Sequence, residues 1–132
     1  MKLLVVLSRF PYPLEKGDKL RSYNQIRILS QYHDIYLFAL SERKVLDENL
    51  KELEPFCKEI RVSKLSIFSQ FIQLIIFFFK GLPLQCGYFY NKKSHKKLLK
   101  FVEETQPDHL YCQMVRTTEY TKMIPVKKTL DY

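Results

Sequence analysis

The chain has 132 residues, 46% of them hydrophobic and only three of them glycine, so it is long enough to bury the core of one domain. This composition excludes a disordered or low-complexity chain. The three cysteines form no C-x-x-C pair and the three histidines are scattered, so we expect reduced thiols, a cytoplasmic chain and no metal site.

The excess positive charge is confined to one part of the sequence. The net charge is +8, and no acidic residue lies between Glu59 and Glu103. The basic residues of that segment account for the whole excess: Arg61, Lys64, Lys80, Lys92, Lys93, Lys96, Lys97 and Lys100. We therefore expect one basic surface rather than a generally basic protein.

The first half of the chain alternates between strand and helix patterns. Residues 2–7 form an apolar run that is too short for a signal-peptide core of about 7–15 residues and predicts a strand buried on both faces. Asp18 is placed to cap a helix over residues 19–31. A strand at 33–40, a helix at 46–56 and a strand at 57–65 are predicted next.

The second half continues the alternation. A helix is predicted at 65–79 that is apolar except for one narrow polar stripe: Ser66, Ser69, Gln70 and Gln73. A short strand is predicted at 86–90, and a lysine-rich helix at 91–106 with Leu98, Leu99 and Val102 on its inner side. A strand at 107–112, a short helix at 116–123 and a strand at 126–132 follow.

Strands that alternate with helices at this interval favour a Rossmann-like α/β fold, with an open, mainly parallel sheet and helices on both faces. We expect one domain over residues 1–132. We also expect it to be incomplete, because no helix follows the last strand to cover it.

The loop between the first strand and the first helix is the first candidate site. It has about ten residues, whereas connections in α/β units commonly have about 2–6, and it leaves the carboxyl end of the strand, where open parallel sheets bind ligands. Gly17 lets the backbone approach a ligand closely, and the free N–H groups of the helix attract a phosphate or another anion. Lys16, Lys19 and Arg21 would add to that attraction. The alternative, a capped helix after an irregular loop, stays open.

The apolar helix and the lysine-rich helix form the second candidate. Residues 65–79 span about 22 Å as a helix, short of the ~30 Å hydrocarbon core, so they do not predict a transmembrane segment. An apolar surface beside a basic one is typical of a protein that lies on an anionic membrane. The basic side comprises Lys92, Lys93, Lys96, Lys97 and Lys100. The alternative, which we favour for the apolar helix taken alone, is a crossover helix buried in the core.

Other chemistry finds less support in the sequence. The lysines are clustered, but arginine is sparse among them and aromatic residues do not interleave with them, so nucleic acid is not an expected partner. Asp108 and Asp131 lie near two predicted strands, but no triad, carboxylate pair or metal cluster can be assembled around them. No catalytic residue is assigned.

Residues 2–40, "KLLVVLSRFPYPLEKGDKLRSYNQIRILSQYHDIYLFAL", resemble the opening of a family 4 glycosyltransferase of the GT-B fold. That family has an apolar strand, a "P-x-P-x-x-G-G" type loop, a helix that carries an arginine, and "H-[DE]-[VI]" before the second strand. The matching residues are Pro11, Pro13, Gly17, Arg21, His33, Asp34 and Ile35. Weaker similarity follows in "QPDHLYCQMVR" and "KKTLDY". The second glycine of the family's loop is Asp18 in this chain.

The resemblance implies two Rossmann-like domains with a cleft between them, of which this chain would be the acceptor-side, N-terminal one. A retaining hexosyltransferase of polysaccharide biosynthesis is implied, with a nucleotide-sugar as co-substrate, no other cofactor and no metal. Gly17 and Asp18 would lie at the donor phosphates. Other residues would line the cleft: Lys19, Arg21 and Asn24 on one wall, and Gln113 and Arg116 on the far wall.

The resemblance also defines the expected partners. The donor-binding domain, with its E-x7-E motif, is not in this sequence, so we expect the chain to be inactive without one. A glycan or a lipid-linked sugar would be the acceptor, and the protein would sit in the cytoplasm or on the inner face of the cell membrane. The alternative is an α/β module that binds an anionic membrane or an acidic partner without catalysis. Whether the chain forms a homo-oligomer stays open.

Overall fold

The computed structural model describes residues 1–12, 17–82, 90–113 and 117–131. Strands and helices alternate along them: β1 (Lys2–Leu7), α1 (Gly17–Leu29), β2 (Asp34–Ser41), α2 (Asp47–Leu53), β3 (Glu59–Lys64), α3 (Ile67–Lys80), α4 (Lys92–Thr105), β4 (His109–Gln113), α5 (Thr118–Thr121) and β5 (Lys127–Asp131). A short 3₁₀ turn, Glu54–Phe56, follows α2. The strand predicted at 86–90 lies outside the described residues, except for Tyr90, which is in neither a strand nor a helix.

The strands form one open sheet in the order β3-β2-β1-β4-β5, and every pair is parallel. Val5 of β1 is level with Leu37 on one side and with Tyr111 on the other. The strand order changes direction between β1 and β4, which makes their carboxyl ends the topological switch point of the sheet. The predicted Rossmann-like, parallel α/β fold is confirmed.

Both faces of the sheet are covered, which explains the unbroken apolar run of β1. On one face Leu3, Val5 and Leu7 pack with Ile26 of α1 and Leu53 of α2. The alternate residues of β1 pack on the opposite face with α4 and α5, in a cluster that includes Leu4, Val6, Leu98, Phe101 and Tyr120. Helices lie on both faces, as predicted.

Two local predictions about helices are wrong. Helix α1 begins at Gly17, so Asp18 is its second residue and not its cap. In α4 Leu98 is fully buried but Leu99 is 44% exposed, because the turn that faces the sheet places Phe101 there instead. The start of α4 follows the usual rule, since the side chain of Asn91 accepts a hydrogen bond from the Ser94 N–H at 3.1 Å.

Helix α3 does not lie in the core, so the favoured prediction of a buried crossover helix is wrong. Among the described side chains of α3, one apolar residue, Phe77, is buried, and the polar Gln70 is buried as well. Four phenylalanines of α3 are more than 60% exposed: Phe68, Phe71, Phe78 and Phe79. Among the described residues, no helix is both long enough and apolar enough to cross a membrane.

Candidate functional site

The carboxyl ends of the five parallel strands lie along one edge of the sheet, and polar side chains gather there around Asp131. Asp131 ends β5 and is level with Gln113, which ends β4 next to the switch point. Helix α1 begins at the same edge, because it follows β1, and it directs polar side chains toward β4 and β5. Open α/β sheets bind their ligands in this position.

The Asp131 carboxylate accepts three hydrogen bonds on Oδ2. The donors are Nη2 of Arg21 at 2.6 Å, the Tyr111 hydroxyl at 2.9 Å and Nε2 of Gln25 at 3.1 Å. Two of the donors come from α1 and one from β4, so the carboxylate joins three elements. We call these four residues the Asp131 cluster.

The contacts within the Asp131 cluster shift the pKa values of Asp131 and Tyr111 away from neutral pH. The hydrogen bond from Gln25, together with those from Tyr111 and Arg21, holds the pKa of Asp131 below its usual value. Burial, helped by the bond to Asp131, raises the pKa of Tyr111 to about 12. The carboxylate is therefore charged and the phenol protonated near pH 7, an arrangement suited to binding hydroxyl groups rather than to taking up a proton.

A second pair of side chains lies beside the cluster. The Ser22 hydroxyl donates a hydrogen bond to Oε1 of Gln113, and both side chains are buried, with 2% and 4% of their surface exposed. Nε2 of Gln113 is buried and has no hydrogen-bond partner among the residues that the structure describes. A buried donor without an acceptor is costly. An oxygen of a bound ligand would satisfy it.

The structure brings together some of the predicted site residues and separates others. Arg21 contacts Asp131, and Gln113 is level with Asp131 on the neighbouring strand, so both lie at the same end of the sheet. Lys19 instead lines a cavity between the ends of β1 and β2. Asn24 is half-buried on α1, where no contact assigns it to the cluster. Arg116 lies outside the described residues.

Gly17 occupies an open position at the first residue of α1. A Cβ atom there would meet nothing within 4 Å among the described residues, so packing does not require a glycine. The backbone of Asp18 lies in the first turn of the same helix. Whether a ligand approaches this turn stays a prediction.

Asp108, which the sequence offered as a candidate, has a structural role at the opposite edge. Its carboxylate accepts a hydrogen bond from the Lys2 backbone N–H at 2.8 Å, at the amino ends of β1 and β4. Ser22, Gln25 and Tyr111 were not predicted as site residues. The spacing of Ser22 and Gln25 on α1 is helical, but only the positions of β4 and β5 reveal their partners, Gln113 and Asp131.

Two further features of the described residues concern metal binding and the lysines of α4. Among the described residues no group of three or more histidine, cysteine or acidic side chains could hold a metal ion. The five lysines of α4 are all exposed, and Lys100 lies 3.9 Å from Glu104 one turn further on. That they form one basic surface stays a prediction.

No protein-family model matches the chain, and no curated protein matches it. The resemblance of residues 2–40 to the glycosyltransferase family therefore stays a prediction.

Proposed function

We propose that the chain is the acceptor-side domain of a retaining sugar transferase of the family 4 type, working with a donor-binding domain. Three features support the proposal: the resemblance of residues 2–40, the Rossmann-like sheet, and the polar residues at its switch point. The observation that carries it is the buried carboxamide of Gln113, whose Nε2 has no partner among the described residues.

The proposed acceptor is a glycan or a lipid-linked sugar, because the edge presents groups that bind hydroxyls. Nε2 of Gln113 would donate to a hydroxyl oxygen of the acceptor. Arg21, which keeps more than 40% of its side-chain surface exposed beside Asp131, can donate to a second one. Lys19 and Asn24, on the same helix, would line the same wall of the cleft.

The nucleotide-sugar would be held by the partner domain across the cleft. In this proposal Gly17 and Asp18, at the first turn of α1, face the donor phosphates, and the free N–H groups of the turn help to balance their charge. Arg116 stays assigned to the far wall. Because the donor site belongs to another domain, the chain alone should transfer no sugar.

The Gln113 carboxamide gives a direct test. We expect its side-chain amide signals in a ¹H–¹⁵N spectrum, identified by their loss in Gln113→Leu, to shift when soluble mono- and oligosaccharides are titrated. The control Gln31→Leu removes an exposed carboxamide and should leave the titration unchanged. Saccharides that shift no signal at Gln113, or that bind Gln113→Leu equally well, would contradict the proposal.

The need for a donor domain is tested separately. The coding DNA on both sides of this chain should encode, in frame or in a neighbouring gene, a domain with an arginine–lysine pair and an E-x7-E motif. Combining that domain with this chain should give sugar transfer that neither shows alone. Transfer by the donor domain alone at the same rate would show that this chain is not its acceptor side.

A second function is favoured by the outer face of α3. Six apolar residues recur on that face at helical spacing, including two adjacent pairs, and each is at least 37% exposed: Phe68, Phe71, Ile72, Ile75, Phe78 and Phe79. We call them the α3 stripe. A regular stripe of this length on one exposed helix face is typical of a surface that is covered in use.

The opposite side of α3 fixes its orientation. The ring of Phe77 lies 5.8 Å from that of Tyr90, which in turn lies 5.3 Å from Tyr120 of α5. These contacts attach the end of α3 to the helical layer, so the stripe faces outward.

We propose that the α3 stripe rests on an anionic lipid bilayer, which would place the protein on the inner face of the cell membrane. The argument for a bilayer is charge: Lys64 and Lys80 are exposed at the two ends of α3, and the exposed lysines of α4 follow in the same segment without acidic residues. Acidic lipid attracts each nearby lysine by about 1 kcal/mol. A membrane-bound sugar transferase and a non-catalytic membrane module both accommodate this surface.

Vesicle sedimentation tests the stripe. Binding is expected to vesicles that contain phosphatidylglycerol but not to pure phosphatidylcholine, and it should weaken between about 50 mM and about 500 mM NaCl. The double variant Phe71→Ser/Phe78→Ser should lose most of this binding, whereas Met123→Ser, which removes an apolar residue elsewhere that is more exposed than either phenylalanine, should keep it. Failure to bind, or self-association that Phe71→Ser/Phe78→Ser abolishes, would show that the stripe contacts protein instead.

A further inference from the structure

A cavity of about 370 Å³ opens at the carboxyl ends of β1 and β2, away from the Asp131 cluster. Its walls come from three parts of the described chain: the residues after β1, the first turn of α1, and the connection from β2 into α2. Its volume falls in the usual range for small-molecule sites, about 300–1,000 Å³. None of the four residues of the Asp131 cluster lines it.

The lining of this cavity is strongly cationic. Arg9, Lys19, Arg43 and Lys44 contribute positive charges, and Glu42 is the only carboxylate among the described lining residues. Glu42 lies 3.9 Å from Nε of Arg9 and offsets one of the charges. Positive charges outnumber negative ones among the described lining residues, and such a lining favours an anion.

The other walls suit an uncharged ring. Phe10 is buried and Tyr12 half-buried, and the Tyr12 ring lies 6.0 Å from that of Tyr23 on α1, so this wall is held in place. Val45 and Leu46 add apolar surface, and the Asn49 carboxamide adds a polar group. Aromatic surface beside a few polar groups is common in pockets that hold sugars and similar molecules.

We propose that this cavity binds a phosphate group carried on a polyol, with the phosphate among the four cations and the polyol against Tyr12 and Asn49. Such a ligand could be a soluble sugar phosphate or the headgroup of a phospholipid. The inference shares Lys19 and the first turn of α1 with the sugar-transferase proposal, but it uses neither Gln113 nor Asp131, so the two can be tested apart. A sugar phosphate is a monoester with a second ionisation near pH 6, so its binding should weaken below that pH. The phosphodiester of a phospholipid headgroup has no such ionisation, so binding of the lipid form should not change there.

Titration calorimetry at low salt with glucose 1-phosphate, glucose and inorganic phosphate tests the soluble form. Glucose 1-phosphate should bind more tightly than inorganic phosphate, and glucose should not bind. Arg43→Gln/Lys44→Gln should weaken the binding by about tenfold, equivalent to about 1.4 kcal/mol. The control Arg27→Gln/Lys51→Gln removes two exposed cations that do not line the cavity and should leave it unchanged.

The lipid form is tested with phosphatidylglycerol vesicles and the variant Phe71→Ser/Phe78→Ser, in which the α3 stripe no longer contributes. Residual vesicle binding that depends on Arg43 and Lys44, without binding of glucose 1-phosphate, would identify a lipid headgroup as the ligand. The proposal is overturned if neither probe depends on Arg43 and Lys44, or if the control pair weakens binding equally. Gln113→Leu should not affect either probe, so this test and that of the acceptor site can fail independently.

Discussion

Asp131 accepts three hydrogen bonds on one carboxylate oxygen, and it gives a prediction about pH. Its pKa is lowered in the folded state by Gln25, Tyr111 and Arg21, so the carboxylate stabilises the fold above its unfolded pKa of about 3.9. That contribution is lost as the pH falls through the lower, folded value. Asp131→Asn should reduce the free energy of unfolding by about 1–2 kcal/mol at neutral pH.

Urea unfolding of both proteins at neutral pH and down to about pH 3 measures this difference. The gap between wild type and Asp131→Asn should shrink toward the acid end. Asp34→Asn is the control, since Asp34 is exposed and lies 4.0 Å from Lys58, and it should change stability by less than about 0.5 kcal/mol. A gap for Asp131→Asn that is constant with pH would contradict the assignment.

The cysteines allow a second prediction at the residue scale. Burial raises the pKa of Cys57 to about 12 and also raises the pKa of Cys112, so neither forms a reactive thiolate near pH 8. In a Cys86→Ser variant, which leaves only these two, a thiol reagent should react slowly with the native protein. After unfolding in guanidinium both thiols should react at once, and fast labelling of the native protein would show that a thiol is exposed.

At the scale of single elements, the end of α4 contains a strained residue. Gln106 has φ 49° and caps the helix in the left-handed region, where glycine is favoured. Gln106→Gly should therefore raise the free energy of unfolding by about 0.5–1 kcal/mol in urea titrations. Gln31→Gly, after α1, is the control: Gln31 has no positive φ, so glycine there should lower stability. Equal effects of the two changes would argue against the strained cap.

Helix α3 allows a test of orientation with neighbouring phenylalanines. Phe77 is 4% exposed and Phe78 is 68% exposed. Phe77→Ala should cost about 3 kcal/mol because it leaves a cavity beside Tyr90, while Phe78→Ala should change stability by less than about 0.5 kcal/mol. Chemical unfolding of both variants measures this. Comparable losses would mean that the helix is rotated or buried.

The order of the elements could be predicted from the sequence because each strand and helix has a local pattern. The orientation of α3 could not be predicted, since ten of its fourteen residues are apolar. Its narrow polar stripe does not mark the solvent side either, because Gln70, which belongs to that stripe, is buried. Leu99 was misplaced for a related reason, since Leu98, Leu99 and Phe101 are all apolar and only the sheet decides which of them it covers.

The site depends on the whole molecule, which is why only part of it could be predicted. Gly17, Lys19 and Arg21 were proposed from the loop they follow, a local feature. The partnership of Arg21 with Asp131 joins residues that are far apart in sequence, and it requires β4 to lie next to β1 and β5 next to β4 in the sheet. The cation-lined cavity requires β1 and β2 to be neighbours in the same way.

The distribution of positive charge is a property of the whole molecule, and in α4 it lowers the stability of the fold. Lys93 lies in the first turn of α4, which contains no acidic residue, and Lys97 follows one turn later. Cations are unfavourable at a helix N-terminus, and like charges four residues apart repel each other. Lys93→Glu should therefore raise the free energy of unfolding by about 0.5–1 kcal/mol at low salt, and less in about 1 M NaCl.

The control for Lys93→Glu is Lys80→Glu, which places the same charge in the last turn of α3, a helix of equal length. That change should lower stability, because an anion is unfavourable at a helix C-terminus. Lys93→Glu should also weaken binding to phosphatidylglycerol vesicles, since it removes one cation from the basic side. A variant that is more stable and binds lipid less would indicate that the lysines of α4 serve an anionic surface at the expense of the fold; a variant that is less stable would refute this account of the helix.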